Sequence, residues 1–576
     1  MAPSSKTPDN CMGPIVQIRG LTYSYRRQQH RCALQGVDLE IGAGEFIAIA
    51  GRAGSGKSTL CYALNGLIPH SFGGRMEGEV MVCGLDTRKA SVPDLARHVG
   101  FVLQNAESQL VGLSVEEDTA FGLENIGLPG NEIAGRVHSA LRTVRLEGQA
   151  RSSPWNLSGG QKQRLAIAAA LAFQPEMLVL DNPTAELDPV GKQELMATLA
   201  QLNRESGVTV VMVNQELEEV LPYASRLVLM DHGRIVRVGK PAEIIDSAEE
   251  LLNVGVKLPE VTQVAYQLRT REQWRGPLPF RVEDAIGQMR DFVLLTPPEE
   301  RSSASNATAE TLIEMEGASF VYPNGTKVIR NVSLAIRRGE FIALMGPNGA
   351  GKTTLAKHFN GLLVPTMGQV LVGGRDTRSS GVAQLAGKVG YVFQNPDHQL
   401  FSRTIEEELA FGPKNLGWEK ARVESAVEST LEHLGGRQRA RDDPYFMGLA
   451  ERKLVAIASA LIMEPEVLVL DEPATGADHE AALRIMNYLS TLQRRGLTIV
   501  MVTHDVSLAA NYANRVIVVR DGSVALDGRT EEVFRRVTEL RSCLVTPPQV
   551  TLLAQALNPS LFTCRVSEMV EQLARA

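Results

Sequence analysis

At 576 residues the chain exceeds one ordinary domain of about 100 to 200 residues, and about three to five units with sizeable cores are expected. Its 44% hydrophobic and 22% charged composition predicts a soluble globular protein, and no apolar run approaches the ~18 residues of a membrane span, so any membrane role is peripheral. A net charge of −7 gives no support to a nucleic-acid binder.

In chain order, residues 1–14 carry no apolar core region and read as a disordered tail rather than a secretion signal. An apolar run, Phe46 to Ala50, then leads into GRAGSGKST, the pattern G-x-x-x-x-G-K-[ST]. Glycines such as Gly51, Gly54 and Gly56 let backbone N–H groups of Ser55 and its neighbours wrap phosphates at a helix N-terminus. Lys57 reaches the outer phosphates, Ser58 holds Mg²⁺, and Thr59 completes the motif. Further on, LSGGQ (Leu157, Ser158, Gly159, Gly160, Gln161) opens an amphipathic stretch, and the strand LVLD delivers Asp181 to the same metal.

The second half repeats this programme. GVDLEIGAGEFIAIAG from Gly36 matches NVSLAIRRGEFIALMG from Asn331, and VTVVMVNQE from Val208 matches LTIVMVTHD from Leu497. Its phosphate loop carries Gly346, Asn348, Gly349, Gly351, Lys352, Thr353 and Thr354, and its metal strand ends at Asp471. The repeat includes a tail: LPEVTQVAYQL from Leu258 resembles PPQVTLLAQAL from Pro547. Residues 295–310, rich in Ser, Ala, Pro and Glu, read as a linker. The expected domains are therefore 15–250 and 311–545, with extensions at 251–294 and 546–576.

The six cysteines, Cys11, Cys32, Cys61, Cys83, Cys543 and Cys564, show no C-x-x-C pair and no histidine at ligand spacing, so free buried thiols are expected. Cys61, one turn past the first phosphate loop, is a candidate for alkylation.

These motifs, above all LSGGQKQR ahead of the metal strand, resemble those of ATP-binding-cassette (ABC) ATPases over nearly the whole chain. The resemblance implies an α/β fold: two tandem P-loop domains, each with a mainly parallel sheet core, an antiparallel β subdomain, an α-helical signature subdomain and a small C-terminal helical extension. It implies cassettes paired head to tail, with ATP between the phosphate loop of one and the signature of the other. It also assigns Gln104 and Gln394 as metal-loop glutamines, Tyr25 and Tyr322 as adenine-stacking aromatics, and Asp188 and Asp478 as the aspartates after the metal strand.

Spacing tests whether the second signature is displaced or lost. Glutamine and signature are 54 residues apart in both halves, and signature and metal aspartate 23. Ser158, Gly159, Gly160 and Gln161 are therefore replaced by Gly448, Leu449, Ala450 and Glu451. The missing hydroxyl and added leucine are expected to weaken the clamp on the γ-phosphate. Glu451 aimed at it would add up to about 4 kcal/mol of repulsion at ~4 Å and an effective dielectric near 20.

In the first half Asn182 stands where the second has Glu472, and an amide cannot take the proton of an attacking water. Gln215 likewise stands where the second half has His504. The expected catalytic set is Glu472, His504, Gln394 and Lys352 working with Leu157 to Gln161, while the Lys57 site holds ATP without consuming it.

QNPDHQLFSRTIEEELAFGPKNLG from Gln394 further resembles the ATPases of energy-coupling-factor (ECF) importers of vitamins and transition-metal ions. That implies a transmembrane coupling subunit, a small membrane substrate-binding subunit and a position on the cytoplasmic face of the membrane, with Gln109, Leu110, Gln399 and Leu400 in the contact region. The rival, a twin-cassette translation factor acting on ribosomes, is disfavoured by the short linker, the single intact signature and the acidic charge.

Overall fold

A computed structural model describes residues 13–26, 32–185, 187–294, 309–559 and 562–575. The tail up to residue 12, Cys11 and the linker residues 295–308 lie outside them. The chain divides into two compact units, Met1–Pro259 and Glu260–Ala576. No helix among the described residues is long and apolar enough to cross a membrane.

Each unit contains the same two sheets. In the first, six strands run in the order Arg234–Gly239, Arg226–Asp231, Phe46–Ala50, Thr209–Val213, Met177–Asp181, Val99–Val102, all pairs parallel except the first. The central strands are buried along their whole length, as sequences such as FIAIA and TVVMV require when helices cover both faces. The four-stranded antiparallel sheet is centred on Val16–Ser24, flanked by Leu34–Ile41 and Arg75–Val82. The second unit repeats both, with Phe341–Met345 central in one and Thr311–Val321 in the other.

A helical layer follows in each half: Val115–Asn125, Gly130–Thr143 and Gly159–Ala172, then Ile405–Asn415, Lys420–His433 and Leu449–Leu461. Ser114 and Thr404 cap the first helix of each trio, and three acidic residues in each first turn oppose the positive end of the helix dipole.

The extensions depart from the domain boundaries expected from sequence. Residues from Glu260 onward, repeat partner of the chain's own end, belong to the second unit. There the helix Glu260–Thr270 packs with Gln549–Leu557 and Val566–Gln572, and Phe292–Leu294 pairs antiparallel with Leu573–Arg575. The bonds are reciprocal about a local two-fold: Val550 N–H donates to Glu260 at 3.1 Å and Val261 N–H to the Gln549 amide oxygen at 3.3 Å. Repeat-equivalent modules thus bury their apolar faces on one another. The sequence repeat predicts two copies of the module but not which body each joins.

Candidate active site

Each phosphate loop joins a fully buried strand to a helix that begins at its lysine, Lys57–Leu64 or Lys352–His358. A Cβ on Gly51 would lie 2.1 Å from the Met230 carbonyl oxygen, and one on Gly346 equally close to that of Val519, so only glycine fits. Lys57 Nζ donates to the carbonyls of Gly51 and Arg52 at 2.7 and 2.6 Å, and Lys352 Nζ to those of Gly346 and Pro347 at 2.8 and 2.9 Å. Both ammonium groups are thereby curled inside their loops.

Parallel pairing sets the metal strands beside the loops. Asp181 ends a strand adjoining Thr209–Val213, and Asp471 ends its counterpart. Burial pushes both carboxyls up, opposed by the hydroxyls of Ser58 and Thr353. One oxygen of each aspartate, Oδ1, is buried without a hydrogen-bond partner, which suits a hard divalent cation such as Mg²⁺. Gln104 and Gln394 are exposed just past the neighbouring strands Val99–Val102 and Val389–Val392.

Tyr25 and Tyr322 place their hydroxyls 3.1 and 3.2 Å from Thr59 and Thr354, which puts each ring at the start of its phosphate-loop helix. Asp188 and Asp478 cap the helices that follow the metal strands, accepting from Gly191 and Ala481 N–H at 2.8 Å.

Beyond the metal aspartate the halves diverge. Asn182 and Glu472 share a left-handed backbone, with φ of 49° and 50°. Glu472 Oε1 meets His504 Nδ1 at 2.9 Å, and its other oxygen accepts from Thr475 at 3.2 Å. Burial alone would push the Glu472 carboxyl up, but His504, Lys352 and Thr475 together hold it below the ordinary glutamate value, so it is ionised at neutral pH. In the first half no hydrogen bond links Asn182 to Gln215. Instead Lys192 clamps Glu216 and Glu219 at 2.8 and 2.6 Å beside Gln215, and Arg52 of the phosphate loop pairs with Asp231 at 2.9 Å and with the Asn253 carbonyl.

Sequence reasoning missed Lys453. It is 3% exposed and donates to the backbone carbonyls of Glu472 and Thr475 at 2.7 and 2.6 Å, bracing the turn that carries Glu472. Its counterpart, Gln163, is also buried, and its Nε2 has no partner. Burial pulls the Lys453 ammonium down to about 8, against the pull of Glu472 and Asp471. Between about pH 8 and 10.5 the unfolded chain holds a proton the folded chain lacks, so stability from this residue rises with pH there, by about 3 kcal/mol in total. Thermal melting should therefore shift in favour of wild type over Lys453→Met as pH climbs through that window.

The two signatures also differ in their caps. Ser158 Oγ accepts from Gln161 N–H at 3.3 Å while the Gln161 side chain accepts from Ser158 N–H at 2.9 Å, and Ser158 and Gly159 are exposed. In the second half only the reverse bond exists, Gly448 N–H to Glu451 at 3.3 Å. Glu451 is also paired with Arg439 at 3.0 Å, so the expected repulsion is largely neutralised within its own cassette. Leu449 packs on Gly476, where a Cβ would meet it at 2.5 Å, and Ala450 follows it as a partly buried helix residue. What the segment lacks is the serine hydroxyl.

Of the expected contact residues, three turn inward and Leu400 is partly buried against the core. Gln109 turns inward to Leu103 N–H and the Phe101 carbonyl, Gln399 to Ala456 and Ser459, and Leu110 is buried. Asp118 accepts from Val111 and Gly112 N–H, Glu408 from Phe401 and Ser402 N–H, which leaves Val111, Leu113 and Phe401 59, 82 and 65% exposed. Beside this segment the first cassette has a cavity of about 370 Å³ lined by Leu110, Val111, Phe121 and Phe173. Cys61 is fully buried and its thiol is pushed up by desolvation, so it is not a site for alkylation.

The two phosphate loops with their metal strands define tandem nucleotide-hydrolysing cassettes. The model of the ABC transporter family matches residues 34–185 and 329–475. An ABC transporter ATP-binding protein of Caldanaerobacter subterraneus subsp. tengcongensis is 38% identical over 96% of this chain and 98% of its own length. One from Methanosarcina mazei is 38% identical over 95% of this chain and 94% of its own. A solved structure, cbiO1 from Clostridium perfringens, part of the ABC transporter complex cbiONQ, is 33% identical, covering 42% of this chain and 95% of that one, with a TM-score of 0.38. The chain belongs to the ABC transporter family and is an ABC ATPase with two cassettes.

Proposed function

We propose that the chain energises an ECF-type importer for a vitamin or transition-metal ion, from one hydrolytic site and one that holds ATP. The observation that carries the unequal sites is the Glu472–His504 contact of 2.9 Å beside Asp471, set against Asn182 and Gln215 in the first half.

In the hydrolytic site Glu472 accepts the proton of the attacking water, and His504 and Thr475 fix the carboxylate in the orientation that does so. Lys352 and the loop N–H groups bind the outer phosphates, and Asp471, Thr353 and Gln394 would hold a Mg²⁺ that would supply charge neutralisation there. The Leu157–Gln161 segment of the first cassette closes on the γ-phosphate, offering the Ser158 hydroxyl and the dipole of the helix it caps. In the other site Lys57, Ser58, Gln104 and Asp181 bind ATP, but Asn182 cannot serve as base.

The importer reading is supported by the QNPDHQLFSRTIEEELAFG wording and by the apolar residues it exposes. Val111, Leu113 and Phe401, rather than the inward glutamines, face the coupling subunit, and no nucleic-acid partner is involved. The chain acts at the cytoplasmic face of the membrane through these partners. Co-purification tests this: hydrophobic membrane subunits should follow the wild-type chain, and Leu113→Ser with Phe401→Ser should release them while the isolated chain keeps its basal ATPase. Sedimentation with ribosomes instead would overturn the reading.

A further inference from the structure

Sequence spacing pairs no cysteine with a histidine, yet folding does. A sulfur of Cys83, a ring nitrogen of His98 and a carboxylate oxygen of Glu176 all lie within 4.8 Å of one another. Cys83 follows the strand Arg75–Val82 in a left-handed turn, with φ of 49°. His98 and Glu176 each precede a strand of the parallel sheet, and the register Val99 to Met177 sets them side by side, Nδ1 to Oε1 at 2.8 Å.

The second cassette provides an internal comparison. The equivalent positions are Gly373, Lys388 and Glu466, and a Cβ on Gly373 would lie 2.5 Å from Lys388 Nζ, so a lysine ammonium fills the space that the Cys83 side chain takes in the first. Glu466 is drawn away by Arg338, and where the second cassette has Arg338 the first has Ala43. Three replacements together therefore exchange a built-in cation for a thiol, an imidazole and a carboxylate with no arginine competing for it.

We propose that Cys83, His98 and Glu176 form a binding site for one zinc-class divalent ion. Thiolate, imidazole and carboxylate are the donors zinc takes, at about 2.3, 2.0–2.1 and 2.0–2.2 Å, and three of them leave a fourth position for water. Tetrahedral bonds of those lengths place donors less than about 4 Å apart, so atoms now within 4.8 Å have about 1 Å to close on binding. The ion enters from solvent, since the side chains of His98 and Glu176 are 38 and 59% exposed. On binding, the Cys83 S–H bond breaks, sulfur bonds to the metal and its proton passes to solvent, while the proton shared by His98 Nδ1 and Glu176 moves through solvent to Nε2, freeing Nδ1 and the carboxylate for two metal bonds. The site lies at the start of Met177–Asp181, whose far end carries Asp181, so it ties the antiparallel sheet to the edge of the parallel sheet without entering the nucleotide site.

The test uses the full-length chain stripped of metal with a chelator and titrated with Co²⁺, then with Zn²⁺ as competitor. One equivalent of Co²⁺ is expected to raise a near-ultraviolet thiolate-to-metal band that Zn²⁺ abolishes. The band should vanish in Cys83→Ser. Zn²⁺ affinity should fall at least about tenfold in Glu176→Gln and in His98→Lys, which installs the residue the second cassette carries in the same place. Absence of the band in wild type, its persistence in Cys83→Ser, or equal Zn²⁺ affinity in wild type and all three variants would overturn the proposal and leave an ordinary surface ion pair. Circular dichroism of each variant shows whether it has folded, and a result counts only from a folded one.

Discussion

Glu472→Gln should abolish most ATP turnover while leaving ATP bound. A general base typically contributes about 10²- to 10⁴-fold, and a fall in that range is expected in steady-state phosphate release. The replacement keeps the side chain's size and its contact with His504, so loss of turnover reports loss of proton acceptance rather than collapse of the turn braced by Lys453. Asn182→Ala, at the matching position, should leave turnover nearly unchanged, because an amide was never taking the proton. Substantial residual hydrolysis in Glu472→Gln would mean that the Lys57 site also fires, and the assignment of unequal roles would fail.

The second large effect comes from exchanging signatures. Ser158→Gly with Gly159→Leu writes the second segment into the first, and turnover should fall by about 10²-fold, the order expected for removing a preorganised donor to developing phosphate charge. Gly448→Ser with Leu449→Gly makes the reverse exchange, and it should raise turnover little, because the site it repairs has Asn182 and Gln215 in place of a base and its histidine. The asymmetry between the two exchanges is the quantity to measure. A large gain from the second exchange would require the Lys57 site to hydrolyse, and no loss from the first would place the signature elsewhere than on the Lys352 nucleotide. The first exchange also removes half of a capping box, which with glycine as the replacement costs only about 0.3 kcal/mol, so ATP binding at fixed temperature is checked beside it.

How much of this was legible in the chain depends on the range of the interaction. Apolar runs ending in Asp181 and Asp471, and glycines at Gly51 and Gly346, are local signals, since a buried parallel strand and a loop without room for a Cβ leave few alternatives to sequence. Side-chain direction is not local. Gln109 and Gln399 stand among polar residues in a loop, yet the N–H groups of Leu103 and Phe393 just past the preceding strands draw them inward, and the apolar residues two to four positions later, Val111, Leu113 and Phe401, face out. Glu451 similarly points away from the position expected for it because Arg439, 12 residues earlier, is folded back beside it. Cys83, His98 and Glu176 are separated by 15 and 78 residues, and only sheet register gathers them. Lys453 sits in a motif position where attention falls on its neighbours, and its partners are carbonyls that no side-chain pattern reveals.

The reciprocal bonds of Val550 with Glu260 and Val261 with Gln549 have a kinetic consequence. Because the first half's extension is packed into the second unit, the first cassette is moored to the second by the short stretch of chain before Glu260. Such a tether holds its two ends at an effective concentration in the millimolar range, about a thousandfold above that of a typical dilute protein solution. On the proposed pairing of the two cassettes within one chain, their closure on ATP is unimolecular, with a rate independent of protein concentration.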